Sequence, residues 1–288
     1  MHATAQTIVP VSLRRRLTDH VMTGVAILTV LLVLAPLVAI FGYLMYRGIG
    51  SINWAFLTQT PKPVGEEGGG MANAIVGSMF ILGIASVIGV PFGVGAGIYL
   101  AEFGRNRFGS AIRFTADVLN GVPSIVIGIV GWSILVRGHG FSALAGGVAL
   151  AIMMVPTISR TTEEMLLLVP TALREAAYGL GVPRWRTTLS ITLRTATSGV
   201  ITGIMLAFAR IAGETAPLLF TAFGNTFWNW RANQPTAALP LQIYVYANSP
   251  YDDWHRQAWA GSFVLIILIV TAVAAVRYAV RRGSFGAA

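Results

Sequence analysis

Six stretches of this sequence are too long and too apolar to rest in water, at about residues 21–45, 72–100, 116–136, 141–158, 195–220 and 258–278. A hydrocarbon core takes about 20 helical residues to cross, and a helix satisfies every backbone group within its own segment. The runs therefore predict an all-α polytopic membrane protein with six transmembrane helices. The first run follows Arg14-Arg15-Arg16, the flank of a signal peptide. At about 25 residues it exceeds the apolar region of a signal peptide and is long enough to span, so it is read as an uncleaved helix that tolerates Pro36. Composition agrees, with 55% hydrophobic and only 11% charged residues, against the roughly one quarter charged of soluble domains.

The net charge of +9 comes from basic residues gathered at both ends of the chain and in the polar segments after the second and fourth runs. The opposite segments hold only Arg47, Lys62, Arg137, Arg231 and Arg256. By the positive-inside rule both termini and those two segments face the cytoplasm. Residues 1–20 are then a cytoplasmic N-terminal segment, 21–47 the first helix, 48–71 an external solvent-side loop and 281–288 a cytoplasmic tail. Trp228, Trp230, Tyr244, Tyr246, Tyr251, Trp254 and Trp259 fall on the outer side as an interfacial belt would, with residues 239–246 expected either to lie along the surface or to contact a partner.

Several chemistries are unfavoured. No basic cluster is interleaved with aromatics, so no nucleic acid partner is expected, and the absence of cysteine excludes disulfides and thiol catalysis. His2, His20, His139 and His255 are scattered, so no metal site is expected. A phosphate-cradling Walker loop needs a Lys after its second Gly, yet the single Lys, Lys62, stands between Pro61 and Pro63. If ATP drives this chain, another subunit binds it. The glycines at 77, 83, 89, 93, 95 and 97 lie in an apolar run and are read as a close-packing surface rather than a nucleotide fingerprint.

The polar segment 161–194 lies between the fourth and fifth runs. Pro170 suits a first helical turn, Leu173, Ala176, Ala177 and Leu180 recur at helical spacing, Gly181 stops the helix and Pro183 opens another. This predicts a compact helix-turn-helix knob shaped for a groove on a partner. Glu175-Ala176-Ala177 with Gly181, Ile191 and Leu193 resembles the EAA loop of bacterial ABC-importer permeases, the element that docks on a cytoplasmic ATPase. The family pattern usually closes in Leu-Pro, where this chain has Leu193-Arg194.

Two further places stand out within the apolar runs. Gly121-Val122-Pro123-Ser124 predicts a break in the third, facing protein or a cavity. In the fifth, Arg210 and Glu214 are four apart, expected on one helical face as a pair, with Gly213 and Pro217 allowing a bend nearby. Charge within hydrocarbon costs about 2.5 to 3.5 kcal/mol per residue, which makes such a pair a functional candidate; its alternative is an ion pair tying two helices together. The sequence from Arg210 to Leu218, with Gly121 to Val126 and Tyr99 to Phe103, is similar to the phosphate-specific, PstA-like branch of the same permeases.

The resemblance implies a type I, MetI-like architecture, with residues 72–280 as the permease domain and 161–194 as its coupling loop. It implies half of a pathway carrying inorganic phosphate across a bacterial inner membrane, with no covalent chemistry in this chain. The implied partners are a PstC-like permease subunit, two cytoplasmic PstB-like ATPase subunits that hold ATP and Mg, a PstS-like phosphate-binding protein and membrane lipid. Arg210 would attract the anion and Glu214 hold it back from permanent capture, Gly213, Pro217 and Pro123 would gate, and Glu175, Ala176, Ala177 and Gly181 would meet the ATPase. Another oxyanion such as sulfate or molybdate, a gradient-driven secondary transporter, and a non-transporting scaffold or sensor remain the alternatives.

Overall fold

The structure is a computed structural model, which describes residues 12–63, 66 and 68–285. Most of the expected N-terminal cytoplasmic segment, Glu67 of the first loop and the last residues of the tail lie outside those described. The chain divides into two compact units, residues 1–47 and 48–288. The first holds most of α1 (Leu13–Ile49), 37 residues long with Pro36 inside it and a mean hydropathy of 2.8 over its most apolar window.

The second unit is helical, with no strand among the described residues beyond an isolated bridge between Phe223 and Thr236. Its elements are α2 (Trp54–Thr58), α3 (Ala72–Phe103), α4 (Arg107–Gly121), α5 (Ser124–Gly131), α6 (Ala143–Leu167), α7 (Thr171–Gly179), α8 (Arg184–Thr187), α9 (Leu193–Ala212), α10 (Ala216–Thr221), α11 (Leu239–Ala247) and α12 (Asp252–Phe285). A π-helical turn extends α5 through Trp132–Val136, and another joins α8 to α9 through Thr188–Thr192. Among the described residues five helices are long and apolar enough to cross a membrane, and a sixth crossing results if the bent pair α4–α5 is one span.

The seam between α3 and α6 holds the bundle together. A Cβ added at Gly89, Gly93 or Gly97 would lie 3.2 Å from Met154 Cβ, 2.7 Å from Ile158 Cβ or 2.5 Å from Thr162 Cβ, respectively. Both triplets advance by four residues, so one turn of α3 meets one turn of α6 three times in succession. Apolar side chains gain little from leaving lipid for protein, so close backbone approach and dispersion supply the association. The same device recurs where Gly203 and Gly199 of α9 face Thr161 and Met165 of α6. Gly83 and Gly95 face open space and take no part.

Three expectations about the outer segments change. Residues 48–71 are not a free solvent linker: Asn53 caps α2, Phe56 is 1% exposed, and the Met71 amide donates to the Phe56 carbonyl at 3.0 Å. Phe56 and Met71 form a core with Ala237, Leu239, Tyr246 and Ala258, an apolar cluster too large for a peptide in water to leave exposed. Residues 239–246 lie only partly at the surface: Tyr244 and Val245 are exposed, while Leu239, Leu241 and Tyr246 are buried and the Tyr246 ring stacks on Trp254 with centroids 4.4 Å apart. Of the expected aromatic belt, Trp228, Trp230, Tyr244, Tyr251 and Trp259 remain exposed, the first two stacked on each other, while Tyr246 and Trp254 turn into the core.

The third run is not one helix. Pro123 restricts Val122 to an extended conformation and offers no amide to continue the ladder, so α4 and α5 meet at 104°. The fifth run also divides, because α9 ends at Ala212 and α10 begins at Ala216 with Pro217 in its first turn. Proline is comfortable there and would have removed a hydrogen bond had the helix run on.

Candidate functional site

The break in the fifth run determines the surroundings of Arg210. Arg210 occupies the last turn of α9, where a cation complements the exposed carbonyls, and Gly213 caps the helix. Glu214 follows in the connecting turn, off the helix, and the two side chains form no ion pair among the described residues, correcting the expected i, i+4 contact. Arg210 is exposed and terminates a line of exposed positions on α9 at Ser198, Thr202 and Leu206, each one turn apart. On one side this face borders Val273, Arg277 and Val280 of α12, with which Ser198, Thr202 and Leu206 share a cleft, and it is otherwise open among the described residues. It carries hydroxyls and one guanidinium and no carboxylate, a lining suited to an anion.

The two breaks lie against each other. A Cβ on Gly128 of α5 would be 3.0 Å from Pro217 Cα and 3.1 Å from the Ala216 carbonyl oxygen, and one on Gly131 would be 3.1 Å from Thr221. Pro123 therefore heads one short helix and Pro217 the other, with glycines as the contact surface. Residues predicted from two separate runs are joined in one unit directly after Arg210 and Gly213.

At the far end of α3, the segment 161–194 forms the expected knob. Pro170 caps α7, Gly181 takes a φ of +76° with open space around it, and Pro183 caps α8. A φ in that region suits glycine, and the Gly181 amide closes the turn onto the Tyr178 carbonyl at 2.9 Å. Glu175, Ala176 and Gly181 are exposed, but Ala177, at 3%, is turned inward and packs the knob, so it does not present a contact surface. The expected apolar face is otherwise uncovered: Leu173 and Leu180 point to solvent, as does Trp185 of α8. Arg194 stands exposed in the first turn of α9, where the chain passes straight on from the π-helical turn without the bend a proline would give.

Sequence inspection missed the acid–base pairs behind this knob. Arg174 of α7 reaches Glu102 at 2.9 Å and donates to the Leu166 carbonyl at 2.7 Å, with the Glu102 side chain only 5% exposed. Arg113 of α4 donates to Glu163 of α6 through Nε at 2.7 Å, and that carboxylate is equally buried. Arg160 joins Glu163 at 3.4 Å and Asp117 at 3.2 Å. Counted as cytoplasmic charge, these arginines had looked solvated; the carboxylate partners of Arg113 and Arg174 lie 50 or more residues away in sequence, beyond any local pattern.

No group of three or more metal-ligating side chains occurs among the described residues.

Residues 93–283 match the family described as "Binding-protein-dependent transport system inner membrane component". The chain is 46% identical over 259 residues to the phosphate transport system permease protein PstA of Haemophilus influenzae, covering 89% of this chain and 91% of that one. Identity is 44% to the protein of that name from Yersinia pestis, over 93% and 92% of the two chains, and 36% to PstA 1 of Mycobacterium tuberculosis H37Rv, over 95% and 92%. Among solved structures, a chain of the MetNI methionine ABC transporter in an inward-facing conformation superposes with a TM-score of 0.55 at 19% identity, over 74% of this chain and 94% of that one.

Proposed function

The chain belongs to the binding-protein-dependent permeases of bacterial ABC importers, inner membrane proteins, and on that premise we propose that it carries inorganic phosphate inward as one half of a two-permease pathway. The observation that carries the cargo is the 46% identity to a phosphate permease over nine tenths of both chains. The exposed face of α9 supports it, since the charged groups there, Arg210 on the helix and Arg277 of α12 beside Ser198 and Thr202, are cationic.

In this reading the chain holds no nucleotide and catalyses no covalent step. Two PstB-like ATPase subunits bind ATP and Mg on the cytoplasmic side, a PstC-like permease covers the open face of α9, and a PstS-like protein delivers phosphate from outside. Glu175, Ala176, Gly181, Leu180 and Trp185 form the docking surface, and Ala177 seats α7 behind it. Arg210 attracts the anion near the break between α9 and α10, and a single guanidinium in a wet pathway binds weakly enough to release. Glu214, on the far side of Gly213, lowers the local positive potential without neutralising Arg210 directly. Gly213, Pro217 and Pro123 mark the ends of the rigid pieces that shift as the pathway opens.

The test is labelled phosphate uptake into proteoliposomes holding this chain and its partners, with and without ATP on the ATPase side. Uptake should require ATP and fall to background in Arg210→Gln while the complex still assembles. ATP-independent uptake would reject the importer mechanism. Uptake of sulfate or molybdate in place of phosphate would reject the cargo alone.

A further inference from the structure

Arginines from three elements converge on five residues at the end of α3. Arg174 of α7 pairs with Glu102 at 2.9 Å. Arg184, the first residue of α8, places its guanidinium carbon 5.5 Å from the ring centroid of Phe103. Arg113 of α4 donates to the Gly104 carbonyl at 2.8 Å and the Leu100 carbonyl at 3.1 Å while holding Glu163 of α6. The last carbonyls of a helix have no partner within it, and its negative end favours cations, so this turn is a natural anchor for guanidinium forks.

We propose that residues 100–104 are the joint that transmits the ATPase stroke to the anion pathway, with Glu102, Arg174 and Arg113 as positioning residues. This rests on the permease reading above. The knob grips one side of the joint through Arg174 and Arg184, and α4 grips the other through Arg113. Motion of α7 then reaches α4 without crossing solvent. Beyond α4 the chain bends at Pro123 into α5, whose Gly128 touches Ala216 and Pro217 of α10, the helix that follows Arg210 and Gly213. Each link is a contact between named groups, and the glycine seam makes α3 and α6 one body around which the links turn.

The chain has no cysteine, so exposed Ala172 on α7 and Phe114 on α4 can each be replaced by cysteine to carry spin labels. In the assembled complex the label distance should remain one narrow distribution with and without ATP, and Glu102→Gln should broaden it. In the uptake assay the same variant should raise ATP consumed per phosphate moved by about tenfold, an uncoupling a merely structural residue would not produce. Exchanging the charges, Glu102→Arg with Arg174→Glu, should restore about half of the coupling. Arg174→Lys keeps the charge but loses the fork; it should give an intermediate ratio and replaces Glu102→Gln if that variant does not assemble. A narrow distribution with wild-type stoichiometry in the single variants overturns the joint, as does an assembled charge-exchanged complex no better than either single change. The label distances do not depend on the cargo, so a failure of phosphate uptake in the unmutated complex would reject the transport reading while the distances still decided the joint.

Discussion

The two ends of the α3–α6 contact are built on different physics. Along the spans the helices meet through glycine against Met154, Ile158 and Thr162, a dry steric fit with no charge in it. At the end of α3 the contacts are arginine forks on buried carboxylates and helix carbonyls. A steric seam tolerates only one arrangement and resists shear, whereas a charged joint has several acceptors within reach and can turn without losing all of them. The difference teaches where this chain can be rigid and where it can move.

Removing one fork should give the largest effect on stability. Arg113→Ala leaves Glu163 charged and buried at the joint, with Arg160 its remaining partner at 3.4 Å, and strips two carbonyls of a donor; a loss of about 3 to 5 kcal/mol is expected in thermal unfolding of the purified protein. Arg113→Lys should recover part of it. The seam is tested next by Gly97→Leu, which forces a side chain into Thr162 and the Ser159 carbonyl and should cost about 3 kcal/mol, with less folded protein in the membrane. If the leucine variant proved harmless, the helices would not be held by steric fit.

Smaller changes sharpen the contrast. Gly181→Ala meets no neighbour but places a side chain at φ +76°, so about 1 kcal/mol of strain should appear, confined to the knob and visible as faster amide exchange at α7 and α8. Gly95→Ala, two residues from Gly93 and Gly97 yet facing open space, should change stability by less than about 0.5 kcal/mol in the isolated chain. A large loss in the assembled complex alone would place the partner permease on that face.

The apolar runs, the knob between them and the helix break at Pro123 were legible before any coordinates, and at Gly213 and Pro217 a bend was legible where the structure has a full break. Each depends on local chemistry: run length against membrane thickness, a proline without an amide, a glycine free to adopt positive φ. Arg210 was legible for the same reason, since a charge in a long apolar run is conspicuous wherever the helix goes. What failed were statements about which distant or helix-interrupted positions meet. The Arg210–Glu214 pair assumed a helix that Pro217 does not allow, the aromatic belt was partly a core, and the loop at 48–71 was packed under Phe56.

The sequence by itself determined that this chain crosses a membrane as helices, where those helices break, and which loop projects as a knob, because backbone satisfaction and residue conformation act within a few positions. Only the tertiary structure decided that Glu102 belongs to Arg174 and Glu163 to Arg113, that Gly89, Gly93 and Gly97 face α6 while Gly95 does not, and that the two breaks touch. Partners distant in sequence are chosen by which faces pack. In a bundle where nearly every face is apolar, hydrophobicity cannot make that choice, and the fit of glycines and the reach of arginines do.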